Sequence, residues 1–99
     1  MAHRVAPRAE CDLDDIWYYV ATESGSVEIA DRLIDSITGR FILLASFPYL
    51  GRSRDQEFGV GCRSFAVGEY VIVYCLEAGE MLILRVVHGR RELDTLFPR

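Results

Sequence analysis

Residues 62–88 read CRSFAVGEYVIVYCLEAGEMLILRVVH. Apolar residues recur here with period 2, and Gly68-Glu69 and Ala78-Gly79 interrupt them. The pattern predicts three strands, Cys62 to Val67, Tyr70 to Leu76 and Met81 to His88, joined by tight turns into an antiparallel meander. In the last strand, strict alternation puts Leu82, Leu84, Val86 and His88 on one face and Ile83, Arg85 and Val87 on the other. Both faces are largely apolar, which predicts a central strand covered on one side by the rest of the chain.

Upstream of this stretch the period changes from 2 to 3.6. From Pro7 to about Ser24 the apolar positions Leu13, Ile16, Trp17, Val20 and Ala21 follow the spacing of a helix that buries one stripe. Pro7 suits its first turn, and the acids Glu10, Asp12, Asp14 and Asp15 crowd its first half, where the helix dipole favours negative charge. Those carboxylates read as a solvated face rather than an acid–base pair. Ser24-Gly25-Ser26 is a stop and a restart, with Gly25 placed for the left-handed C′ position and Ser26 for an N-cap. A second helix follows from about Val27 to Ser46, with Ala30, Ile34, Ile37, Phe41 and Leu44 as its stripe, and Phe47-Pro48 ends it. Gly39 interrupts that helix at a cost of about 1 kcal/mol relative to alanine, as expected if another backbone passes close there. His3 to Ala6 reads as one strand, Tyr49 to Gly61 as a polar loop, and Arg91 to Phe97 as a last helical turn. The expected architecture is β-α-α-β-β-β, an α+β fold with a helical hairpin packed on a mainly antiparallel sheet.

Ninety-nine residues suffice for a single domain spanning 1–99. With 51% hydrophobic and 26% charged residues the composition is that of a globular chain. Runs such as Phe41 to Leu44 fall far below the ~18–20 residues of a membrane span. No apolar h-region opens the chain, so a cytoplasmic location is expected. The net charge is −4, and every one of the eleven basic residues is arginine. An acidic chain is a poor general ligand for a polyanion, so direct nucleic-acid binding is not expected. Cys11, Cys62 and Cys75 lack metal-ligand spacing; no metal, cofactor or disulfide framework is expected, and Cys62 and Cys75 read as small buried hydrophobes.

The serines lack the nucleophile-elbow pattern, and Gly59-Val60-Gly61 precedes a strand rather than a helix, so neither a hydrolase triad nor a phosphate loop is indicated. The constellation that carries chemistry is His88-Gly89-Arg90-Arg91 together with Arg63 and Arg85 on neighbouring strands. Such a set can stabilise a phosphoryl group or grip the carboxylates of a partner. It also fits a structural reading, in which His88 satisfies a strand end and Arg85 pairs with an acid from the helices.

Four segments carry a resemblance. Leu13-Asp14-Asp15-Ile16-Trp17-Tyr18-Tyr19-Val20 resembles the first helix of the RelE/ParE superfamily of bacterial type II toxins. Phe47-Pro48-Tyr49-Leu50-Gly51-Arg52, Arg63-Ser64-Phe65 with Tyr70-Val71-Ile72-Val73-Tyr74, and Arg85-Val86-Val87-His88-Gly89-Arg90-Arg91 follow in the superfamily's order. Ala6 departs from the serine or threonine cap usual in these toxins. The resemblance implies one of two activities. RelE-like members cut messages on the ribosome, but their lysine positions fall near Gly59 and Gly61, their strand arginine on Val71 and their C-terminal aromatic on Phe97, leaving Arg91. If cleavage survives here, its residues are His88, Arg90 and Arg91. ParE-like members, which the chain resembles better, have no catalytic residues and poison DNA gyrase through protein contact. That reading makes Arg63, Arg85, His88, Arg90, Arg91, Leu96 and Phe97 the target surface. The resemblance also implies a cognate antitoxin, ParD-like or similar, anchored on Tyr18, Tyr19, Ile29 and Ile42. Ordinary packing of a second helix face is the other reading of those four positions. A toxin-fold protein that serves only as a binding partner is the remaining alternative.

Overall fold

Helix signals at both ends of the hairpin are met in the computed structural model, which describes residues 1–89. The first helix, α1, spans Pro7–Ser24 with proline in its first turn. Ala6 offers no side-chain cap, and Gly25 closes the helix in the left-handed conformation at φ 68°. Ser26 caps the second helix, α2 (Val27–Ser46), its hydroxyl accepting from the Ile29 amide at 3.2 Å. The Trp17 indole N–H donates to Asp31 at 2.7 Å and ties the two helices together.

The sheet contains β1 (His3–Val5), β2 (Arg52–Ser53), β3 (Cys62–Val67), β4 (Tyr70–Glu77) and β5 (Glu80–His88) in the spatial order β1-β5-β4-β3-β2. The meander β3-β4-β5 is antiparallel, whereas β1 joins β5 in parallel. β5 is therefore interior to the sheet, as its two apolar faces predict. The expected loop 49–61 holds two further elements, the edge strand β2 and the single turn α3 (Asp55–Phe58). Both are anchored to β3: the Arg54 amide donates to the Cys62 carbonyl at 2.8 Å, and the Gly61 amide to the Asp55 carboxylate at 3.0 Å.

One face of the sheet packs on the hairpin. Ala9, Ile16, Ile37, Phe41 and Leu44 from the helices meet Val67, Tyr70, Ile72, Tyr74, Met81, Ile83 and Val86 from the strands. Strict alternation along β5 fails at one point. Tyr74 pairs with Ile83 and Val73 with Arg85, which leaves Leu84 as an extra residue, a β-bulge. Ile83 therefore shares the helix-facing side with Val86 and His88, against the expected division of faces.

Three further expectations are corrected. Cys62 and Cys75, opposite each other on β3 and β4, form a disulfide, so they are not simply small hydrophobes; Cys11 is the free, exposed cysteine. Asp12 is buried against the sheet instead of lying on the solvated acidic face. No backbone passes near Gly39, where an added Cβ meets nothing within 4 Å among the described residues.

Candidate functional site

Helical spacing brings Arg8, Asp12, Asp15 and Tyr19 to one flank of α1, where they face Tyr70 on β4 and Arg85 and His88 on β5. Between them lies a cleft of about 470 Å³. The β5 bulge turns Arg85 and the Val86 amide toward the same carboxylate. Arg85 donates to Asp12 through Nε at 2.7 Å and through Nη2 at 3.1 Å, and the Val86 amide adds a third bond at 3.0 Å. The side chains of Asp12 and Arg85 are only 8% and 19% exposed. Arg8 approaches the other Asp12 oxygen at 3.8 Å from the open side. Of the sequence readings for Arg85, pairing with an acid from the helices is the one observed. His88 keeps a half-exposed imidazole, with Nε2 3.4 Å from Glu69 and the ring edge-on to Tyr70 at 5.3 Å.

Arg63 belongs to a different place. Its Nε donates to the Gly51 carbonyl at 2.8 Å, Nη2 donates to the Tyr49 carbonyl at 3.2 Å, and its guanidinium lies 5.3 Å from the Tyr49 ring centre. Its ladder partner Tyr74 completes the anchor from the buried side. The Tyr74 hydroxyl donates to the Pro48 carbonyl at 2.8 Å and accepts from the Gly51 amide at 2.9 Å. Burial pushes the Tyr74 phenol above its ordinary range, against the lowering effects of the Gly51 bond and the Arg63 charge. A Cβ on Gly51 would lie 2.8 Å from the Ser64 carbonyl, so only glycine fits. The anchored loop presents Phe47, Tyr49 and Leu50 to solvent.

The four anchor candidates on the hairpin are all exposed, Tyr18 the most at 70%. They do not form one patch. Tyr19 lines the cleft beside β5, whereas Ile42 lines a second groove with Glu10 and Leu13 on the opposite flank of α1. The structure thus brings Arg85, His88 and Tyr19 together, and Arg63 lies apart. Arg90, Arg91, Leu96 and Phe97, with the expected helical turn 91–97, lie outside the described residues. Val71, on which the resemblance places the RelE strand arginine, sits on β4 between Ala66 and Val87. Asp12 and Tyr74 were missed as functional supports. Asp12 had a readable signal, because it lies four residues before Ile16 on the buried stripe.

A helical hairpin laid on a small mixed sheet is the fold that these elements build. It is shared with a chromosomal ParDE toxin–antitoxin system from P. aeruginosa, at TM-score 0.78 and 21% identity over 91% of this chain and 97% of that one. The RelBE2 toxin–antitoxin complex from Mycobacterium tuberculosis is similar at TM-score 0.59 and 22% identity, over 88% of this chain and 95% of that chain. At these identities the likeness concerns the fold. Residues 4–93 match the family described as the ParE toxin of the type II toxin–antitoxin system parDE. Toxin ParE3 of Caulobacter vibrioides is 34% identical over 82 residues, 83% of this chain and 80% of that protein. Toxin ParE1 of the same organism is 31% identical over 86 residues, 87% of this chain and 86% of its own length. The chain belongs to the ParE toxin family of type II toxin–antitoxin systems.

Proposed function

We propose that this ParE-family toxin acts in the cytoplasm by binding DNA gyrase, with no bond-making chemistry of its own, and that a cognate antitoxin neutralises it. The observation that carries the non-catalytic reading is the state of Arg85. Its guanidinium is largely buried and gives two of its donors to the Asp12 carboxylate, which favours a structural role over phosphate binding. Among the described residues of the cleft, Arg8 and Arg85 are balanced by Asp12 and Asp15, so these residues carry no excess positive charge to hold RNA. His88 could still exchange a proton, but the stabilising cations that phosphoryl chemistry requires beside it are neutralised among the described residues. A binding protein needs exposed surface instead, and the half-exposed His88, Tyr19 and the apolar loop 47–50 supply it.

Induced expression of the chain in bacteria tests this reading, with a DNA-damage reporter and message integrity followed together. Growth arrest with an induced reporter and intact messages is expected. Codon-phased message cleavage without a damage signal would establish the ribosome-dependent nuclease instead.

A further inference from the structure

We propose that the Cys62–Cys75 disulfide is a redox-operated latch on segment 54–61 that sets how long the chain survives proteolysis, an inference that rests on the cytoplasmic reading above. The segment has little to hold it by itself. Its one helical turn, α3, has four residues, too few for a stable helix in isolation. Among the described residues, none from 54 to 61 joins the hydrophobic core. Its order depends instead on hydrogen bonds that converge on the disulfide. The Arg54 amide donates to the Cys62 carbonyl at 2.8 Å, and the Cys62 amide donates to the Gly59 carbonyl at 3.2 Å. The Leu76 amide, one residue from Cys75, donates to the carbonyl of Gly61, one residue from Cys62, at 2.9 Å. The bridge thus sits where 54–61 enters β3 and ties that junction to the interior strand β4.

Access selects the sulfur that exchanges. Cys62 is only 5% exposed and Cys75 is half-buried, so an incoming thiolate reaches Cys75 first. A small thiol of the glutathione class bonds through its sulfur to Cys75 Sγ. Cys62 then leaves with the electron pair of the broken S–S bond and takes up a proton. A second small thiol attacks the mixed disulfide at the small thiol's sulfur and releases Cys75, which is protonated in turn. The protein disulfide is thereby reduced to two thiols, and the two small thiols are oxidised to their own disulfide. The reverse reaction, with that small disulfide as oxidant, closes the latch. A reducing cytoplasm keeps the junction open, and a rise in oxidised thiol closes it. With the latch open, the backbone of 54–61 opens locally and becomes a protease site, while the β3–β4 ladder and the core remain.

Chymotrypsin digestion of the full chain in glutathione buffers of graded poise tests the latch, with the bond read by alkylation and mass. Reduction should speed cleavage after Phe58 by about tenfold, in step with opening of the bond. Cleavage after Tyr49, whose loop is held by Arg63 and Tyr74, should change by less than about twofold. The double variant Cys62→Ser, Cys75→Ser should be cut at the reduced rate in every buffer, whereas Cys11→Ser should respond like the unaltered chain. Equal cutting in both states, acceleration spread evenly over all aromatic sites, or no bond in oxidising buffer would overturn the proposal. In cells, a thiol oxidant should lengthen the half-life of the unaltered chain and leave that of the double variant unchanged; an unaffected half-life would also overturn it. Cell fractionation tests the location separately. A permanently bridged chain in an oxidising compartment removes the switch together with the cytoplasmic reading, whereas redox-indifferent cutting of a cytoplasmic chain removes the switch alone.

Discussion

Asp12 answers three donors at once, the Arg85 guanidinium twice and the Val86 amide once. Replacing it with alanine strands a largely buried guanidinium and a strand amide, which should cost about 3–5 kcal/mol. Urea unfolding of Asp12→Ala measures the loss, and a change below about 1 kcal/mol would refute the lock. Its acid type and its helix position were plain in the sequence, but its burial was not, because a one-residue bulge on a strand 73 residues away turns Arg85 toward it. Tyr74 carries a pH signature. Its folded phenol holds its proton above the ordinary value of 10.0, so the unfolded chain ionises first. The contribution is therefore complete below about pH 10 and is lost as pH rises past it. Tyr74→Phe should lower stability at neutral pH by about 1–3 kcal/mol, by orphaning the Gly51 amide, and should flatten the alkaline decline. An unchanged alkaline slope in thermal melts of the variant would contradict this.

Among the elements, those with local punctuation were legible to within a residue. Pro7, Gly25 and Ser26 delimit the hairpin, and the period-2 runs mark β3 to β5. The edge strand β2 and the single turn α3 were not legible, because two and four residues carry no periodic signal and both are held by bonds to the β3 entrance. The Cys62–Cys75 disulfide depends on the same register: only the pairing of β3 with β4 sets those residues opposite each other. It closes a loop with a sequence separation of 13, which in the chain-entropy picture stabilises by about 3 kcal/mol. In a reducing compartment the pair stands as two thiols and the ladder alone holds the register. Thiol titration of the air-equilibrated protein should find Cys11 alone, and reductant should expose all three cysteines and lower the melting temperature. Three reactive thiols before reduction would exclude the bridge.

For the whole molecule, charge and apolar surface divide the work. Under the proposed function the acidic hairpin, with its exposed Tyr18 and Ile42, faces the antitoxin, and the separate surfaces at His88 and at the Tyr49 loop face the target. The fold was readable because caps, stripes and turns all agree with one architecture. The candidate surfaces were readable only in part. Exposure of the four hairpin anchors follows from helix phase, whereas the separation of Arg63 from Arg85 follows from which strand each occupies and what each binds. The central claim, a toxin that works by contact with gyrase, is tested most directly with purified gyrase, relaxed plasmid, ATP and the full chain. The account predicts inhibited supercoiling and linear DNA trapped on the enzyme, both relieved by antitoxin. Normal supercoiling at saturating toxin, with no trapped DNA, would contradict it.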